Sequence, residues 1–271
     1  MAAAQHPERY THGHHPSVLA SHEWRTAENS AAYLLPHLRP GVRVLDVGAG
    51  PGTITVDMAR LVAPGETVGV DASAEIVAKA RALATAEGVT NLEFRLGDAY
   101  ALDAADGSFD VVHAHQVLQH LARPVEALRE FGRVAGPDGI VAARDVDYEG
   151  MIWFPQVPAL DTWIDVYLRV SRSNGGEPAA GRRLKAWALE AGFAGVETSA
   201  SVWVFSSPEE RAWWGGSWAE RAVASQFATH AIERGIADRT TLERIADGWR
   251  EWAADDAGWL LMPHAEIIAR R

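Results

Sequence analysis

The chain contains no cysteine. It can hold no disulfide, offer no thiolate nucleophile and build no cysteine-ligated zinc site. Long apolar runs are missing too, since no stretch approaches the ~18 residues of a membrane-spanning helix. Basic charge is scarce: 25 Lys and Arg stand against 36 Asp and Glu, a formal net charge of −11. Binding to a phosphate backbone rests on clustered Lys and Arg, so a nucleic-acid partner is not expected. The N-terminus carries His6, Pro7, Glu8 and His12 where a secretory signal needs an apolar core, which points to the cytoplasm. Hydrophobic residues make up 48% of the 271, enough for a full core. What is left is a globular protein acting on a small molecule.

The stretch that organises the rest is Val42–Thr53, VRVLDVGAGPGT. A short apolar run with β-branched residues, closed by glycines, reads as a buried parallel strand ending in a tight turn. Pro51 suits the first turn of a following helix, where its missing N–H costs nothing. Glycine at 48, 50 and 52 is expected because a ligand lies against bare backbone there and a Cβ would block it. Asp71 ends a second strand, Val68–Val70, 19 positions after Gly52, where a carboxylate can hydrogen-bond both ribose hydroxyls. The spacing G-x-G-x-G, with Asp46 ahead of it, differs from the dinucleotide fingerprint G-x-G-x-x-G. A carboxylate at that place repels a phosphate and suits an ammonium or sulfonium.

This segment resembles the first motif of the Rossmann-like S-adenosylmethionine (SAM)-dependent methyltransferases. VGVDAS at 68–73, LGDA at 96–99 and FDVVHAHQVLQHL at 109–121 keep that family's order. RVAGPDGIVAARD at 133–145 and GRRLKAWALEAGF at 181–193 are similar to the subgroup that includes ubiquinone and menaquinone methyltransferases. The N-terminal YTHGHHPSVLASHEWRTAENSAAYLLPHL is similar to fungal thiol S-methyltransferases that cap dithiol natural products. The resemblance implies an α/β fold, a seven-stranded and mostly parallel sheet with helices on both faces. It also implies SAM as cofactor and S-adenosylhomocysteine (SAH) as product. The cofactor set carried over is Asp46, Gly48, Ala49, Gly50, Asp71, Ala72, Gly97, Asp98, Ala99 and His113. Tyr10, Trp24 and Arg25 would close over the methionine part of SAM as a lid.

Further strands are expected at Leu92–Leu96, Phe109–His115, Gly139–Asp145, Val196–Phe205 and Trp259–Ile268, and a helix over Ser21–Leu38. Asp98, at the carboxyl end of its strand, either accepts from the adenine amino group or caps the next turn. His115 faces the methyl-transfer site in the family register, as a general base or as a pocket wall. Asp145 and Tyr148 lie on the same edge, in substrate contact or as caps, and Asp145 is the second candidate base. Five of the eleven histidines fall within residues 1–22, but nothing there fixes a metal geometry, and no metal is expected.

Ten of the eleven tryptophans lie between Trp153 and Trp259. Most are expected in the core, yet their abundance favours an apolar, ring-containing acceptor. The expected organisation is one domain: a lid at 1–39, a SAM-binding core at 40–205, a helical insertion at 206–257 and a final strand at 258–271. The expected activity is methylation of a small, largely apolar molecule, by S-methylation of a natural-product thiol. C- or O-methylation of a quinol or phenol stays open, as does a SAM-binding regulator without turnover. The protein is expected as a monomer or homodimer.

Overall fold

The computed structural model describes residues 24–271. Among these residues, eight strands form one sheet in the order β3-β2-β1-β4-β5-β8-β6, with β7 also paired to β8. The strands are β1 (Val44–Val47), β2 (Thr67–Asp71), β3 (Leu92–Leu96), β4 (Val111–His115), β5 (Ile140–Val146), β6 (Ile152–Phe154), β7 (Gly195–Phe205) and β8 (Trp259–Arg270). β1 to β5 are parallel, while β8 runs antiparallel to β5, β6 and β7. β1, β4 and β5 are buried along their whole length, which explains their continuous apolar runs. The chain leaves β1 towards β2 and β3, then crosses back to β4. This reversal opens a crevice past the carboxyl ends of β1 and β4, where ligands of open α/β sheets bind.

The segment before β1 is not the single helix expected over Ser21–Leu38. From Trp24 it comprises α1 (Ala27–Ser30), a break at Ala31 and a 3₁₀ turn over Ala32–His37. Thr26 and Asn29 form a capping box that starts α1, and Pro36 lies inside the 3₁₀ turn. Proline supplies no N–H and disfavours α geometry before it, so a continuous helix cannot form there. The expected lid falls mostly outside the described residues, as does Tyr10.

Helices α2 (Thr53–Val62), α3 (Ala74–Ala86), α4 (Pro124–Ala135) and α6 (Leu184–Ala191) flank the sheet, and α5 (Pro158–Ser173) follows β6. The Ser73 hydroxyl caps α3 by accepting from the Ile76 N–H. Between β7 and β8 lie α7 (Pro208–Ala224), α8 (Gln226–Glu233) and α9 (Arg239–Ala254). Ser207 and Glu210 form a capping box at α7, and Asp238 caps α9. These helices pack with α5 around buried Trp163, Trp218, Trp249 and Trp252. Trp163 meets Trp218 and Trp249 edge to face at 4.7 and 4.8 Å, the geometry that aromatic quadrupoles favour.

Candidate active site

A cavity of about 440 Å³ fills the crevice past β1 and β4. Asp46, Gly48, Ala49, Gly50, Asp71, Ala72, Gly97, Asp98 and Ala99 line one part of it, over the ends of β1, β2 and β3. Gly48, Gly50 and Gly52 have φ of 71°, 57° and 93°, the left-handed region that glycine reaches without a Cβ penalty. At two of the three the chain's own packing supplies a further reason for glycine. A Cβ on Gly48 would lie 2.3 Å from Val117 Cγ2, and one on Gly52 would lie 2.6 Å from Phe94 Cζ. At 48 and 52 the chain packed against itself already forbids a side chain.

Asp71 holds the turn together. Its Oδ2 accepts from the Gly50 N–H at 3.0 Å and its Oδ1 from the Ser73 N–H at 2.9 Å. The carboxylate is half-buried at the cavity wall, leaving lone pairs for a ligand hydroxyl. Asp98 lines the cavity and also accepts from the Tyr100 N–H at 2.9 Å, so both roles weighed for it fit one geometry. Asp46 is buried, with Oδ2 accepting from the Thr55 hydroxyl at 2.6 Å and Oδ1 contacting His113 Nδ1 at 2.8 Å. His113 is fully buried and absent from the cavity wall. β4 sets it beside Asp46 in register, where it supports that carboxylate from behind instead of meeting a cofactor.

The other part of the cavity lies over β4, β5 and β8. His115, Gln116, His120, Tyr148, Trp203, Trp214, Arg221 and Met262 line it, with Trp24 and Arg25. Gln116 takes φ 54°, a conformation that costs energy in a non-glycine residue. Its amide links two walls: Oε1 accepts from Arg25 Nη2 at 2.8 Å, and Nε2 lies 2.8 Å from His264 Nε2. The Arg25 guanidinium stands 5.5 Å from the Trp203 ring centre, and Trp24 meets Trp203 edge to face at 5.2 Å. Neither ring nitrogen of buried His115 has a hydrogen-bond partner. Burial, then the charges of Arg25 and Arg144, hold its basicity well below the ordinary histidine value. Burial likewise drives His120 down to about 3.

Asp145 is fully buried and does not line the cavity. Neighbouring residues of a strand point to opposite faces, so its carboxylate lies on the other side of the sheet from Arg144 and His115. There Oδ1 accepts from the Gln119 N–H at 3.1 Å, Oδ2 has no partner, and burial pushes the carboxyl up to about 8. Tyr148, by contrast, does reach the cavity.

Three comparisons bear on this geometry. A family model described as a methyltransferase domain matches residues 38–171. An uncharacterised methyltransferase of Schizosaccharomyces pombe is 34% identical over 97% of this chain and 96% of its own length. The chain belongs to the methyltransferases. A probable methyltransferase of Aspergillus luteorubrus is 28% identical to this methyltransferase over 99% of both chains. The YcgJ protein of Bacillus subtilis shares its fold, with a TM-score of 0.60 and 23% identity over 90% of this chain and 99% of that one.

The lining of the cavity suits SAM in charge. Carboxylates and a glycine turn stand at the β1–β3 end, and the Arg25 cation lines the part with His115, bonded to Gln116. When bound, SAM supplies a methyl group on a sulfonium that leaves as a neutral thioether. The chain's own contribution is to position the acceptor in line and to exclude water, which can account for much of the rate.

Proposed function

We propose that this methyltransferase methylates the sulfur of a small, largely apolar thiol. The carrying observation is the state of His115. It reaches the acceptor part of the cavity with no carboxylate to orient it, no hydrogen-bond partner and a depressed basicity. Such an imidazole is a weak general base, and a thiol needs little help because its thiolate forms readily and is strongly nucleophilic. Trp203, Trp214 and Met262 offer the apolar wall that a ring-bearing thiol would use. Asp71 and Asp98 then take the nucleoside of SAM, Gly48 to Gly50 its methionine backbone, and Arg25 its carboxylate.

The test compares pH–rate profiles of the wild type and His115→Ala on one thiol and one phenol. For the thiol, the loss should be modest and fade at high pH, where the thiol ionises unaided. For a phenol, with a pKa near ~10, turnover should be slow in both proteins. Faster turnover of the phenol, with a His115-dependent loss through alkaline pH, would replace the thiol by a phenol or quinol.

A further inference from the structure

Gln116, the first residue past β4, is half-buried in the cavity wall and joins two segments far apart in the chain. Its Oε1 accepts from Arg25 Nη2 at 2.8 Å, and its Nε2 lies 2.8 Å from Nε2 of His264 on β8. The far end of this hydrogen-bond string fixes its polarity. His264 Nδ1 lies 3.0 Å from the Met262 carbonyl oxygen, which can only accept, so Nδ1 carries the imidazole proton. Nε2 then presents a lone pair and accepts from the Gln116 amide nitrogen. That leaves Oε1 for the Arg25 guanidinium, itself only a donor. The reversed amide would set two acceptors together at His264 and two donors together at Arg25. Burial, then the charges of Arg144 and Arg25, hold the His264 basicity well below the ordinary histidine value. The imidazole therefore stays in the neutral form that the string requires. The Trp203 ring packs on both ends, 4.4 Å from the His264 ring and 5.5 Å from the Arg25 guanidinium. Gln116 holds this place with a φ of 54°, a strained conformation that persists only where the surroundings enforce it.

We propose that Gln116, oriented by His264, is the positioning residue that sets the Arg25 guanidinium in the wall of the reaction cavity. The inference rests on the reading of Arg25 as the partner of the SAM carboxylate, and it adds what fixes that cation in place. Arg25 lies outside any helix or strand, one residue before the Thr26 cap of α1. An arginine loses much rotamer freedom when a ligand orders it. A guanidinium already held at Nη2 meets a carboxylate with less of that loss, so the ligand binds more tightly. Gln116 exerts this effect through Arg25. Its removal should therefore weaken ligands that carry the carboxylate and spare those that lack it.

The test measures two ligands by titration calorimetry, SAH and 5′-methylthioadenosine, which keeps the nucleoside and the thioether but has no carboxylate. Neither measurement depends on which acceptor is methylated. Arg25→Ala should weaken SAH about tenfold or more, as expected for one charge-assisted hydrogen bond. Gln116→Leu should weaken SAH by a smaller factor. In the double variant the loss should equal that of Arg25→Ala, because Gln116 then has nothing left to position. Affinity for 5′-methylthioadenosine should stay at the wild-type value throughout. The inference is overturned if Gln116→Leu binds SAH as the wild type does, if it weakens both ligands alike, or if the two losses multiply in the double variant. Nitrogen-15 NMR of the wild type needs no substitution and decides if the Gln116 variant fails to fold. His264 should carry its proton at Nδ1, with Nε2 bare, and the Arg25 Nη protons should be resolved from one another. A proton at His264 Nε2, or Arg25 protons averaged by free rotation, overturns the inference. If both NMR signatures hold while Arg25→Ala leaves SAH affinity unchanged, the carboxylate reading fails and the positioning stands.

Discussion

Asp71 is the residue whose substitution most sharply separates cofactor contact from turn structure. Its two oxygens hold the N–H groups of Gly50 and Ser73 at 3.0 and 2.9 Å. Asp71→Asn keeps one accepting oxygen and turns the other position into a donor facing an N–H. One charge-assisted hydrogen bond is lost, worth ~1.5–3 kcal/mol. Because Asp71 is half-exposed, water can relieve the stranded N–H in the free protein, so the low end applies to stability. Bound ligand excludes that water and also loses a carboxylate for its ribose, so the high end applies to affinity. SAH affinity should fall roughly ten- to a hundredfold, with a smaller change in unfolding temperature. Titration calorimetry with SAH, alongside thermal unfolding, measures both. Unchanged affinity would refute the reasoning, and a loss of stability alone would leave Asp71 as a turn anchor without a ligand.

Three further perturbations follow from the same geometry. Thr55→Val removes the 2.6 Å hydrogen bond to buried Asp46, costing about 1.5–3 kcal/mol; over 271 residues that lowers the unfolding temperature by about 3–5 °C, and an unchanged melt would show that Asp46 does not need this partner. Gly48→Ala places a Cβ 2.3 Å from Val117 Cγ2 and should weaken SAH binding; Val117→Ala should restore part of the loss, and strictly additive effects would remove the clash as the cause. Asp145 has a folded pKa raised to about 8 from the usual 3.8, so the native state binds the extra proton between those values and stability falls as pH rises through that window. Asp145→Asn should abolish this decline, which thermal melts from pH 4 to 8 will show, and parallel curves for the two proteins would contradict it.

The parallel core was legible because each strand is a short apolar run with its motif residue at the carboxyl end. Asp71 could be placed from its spacing after the glycines, and Asp98 from its strand end and the family resemblance, since the strand edge faces the crevice by topology. His113 and Asp145 show where such placement stops. Strand alternation sends one of two adjacent residues to each face, and without the register of β4 and β5 the face cannot be assigned. The helix expected over Ser21–Leu38 breaks at Ala31 and passes into a 3₁₀ turn that carries Pro36, a residue that apolar periodicity does not register. β6 and α5 were missed outright. β6 has three residues, too few for an alternation signal, while α5 opens at Pro158, a start signal that was there to be used. Most tryptophans proved to be core, as expected. Trp203, Trp214 and Arg221 reach the cavity only through the pairing of β7 with β8 and the return of α7, contacts distant in sequence. The seven-residue step from Trp214 to Arg221 was a helical-face signal in plain view, though it names no face. Gln116 had no local signal beyond its place after His115.

The measurement that bears most directly on the central claim is product analysis. The purified protein is incubated with SAM and a panel of thiols, phenols, quinols and amines, and the products are read by mass spectrometry. The account predicts that aryl or other apolar thiols gain the mass of one CH2, at the sulfur, in step with release of SAH, and that amines do not react. Methylation of amines in preference to thiols, or SAH binding with no methyl transfer to any acceptor of the panel, would contradict it.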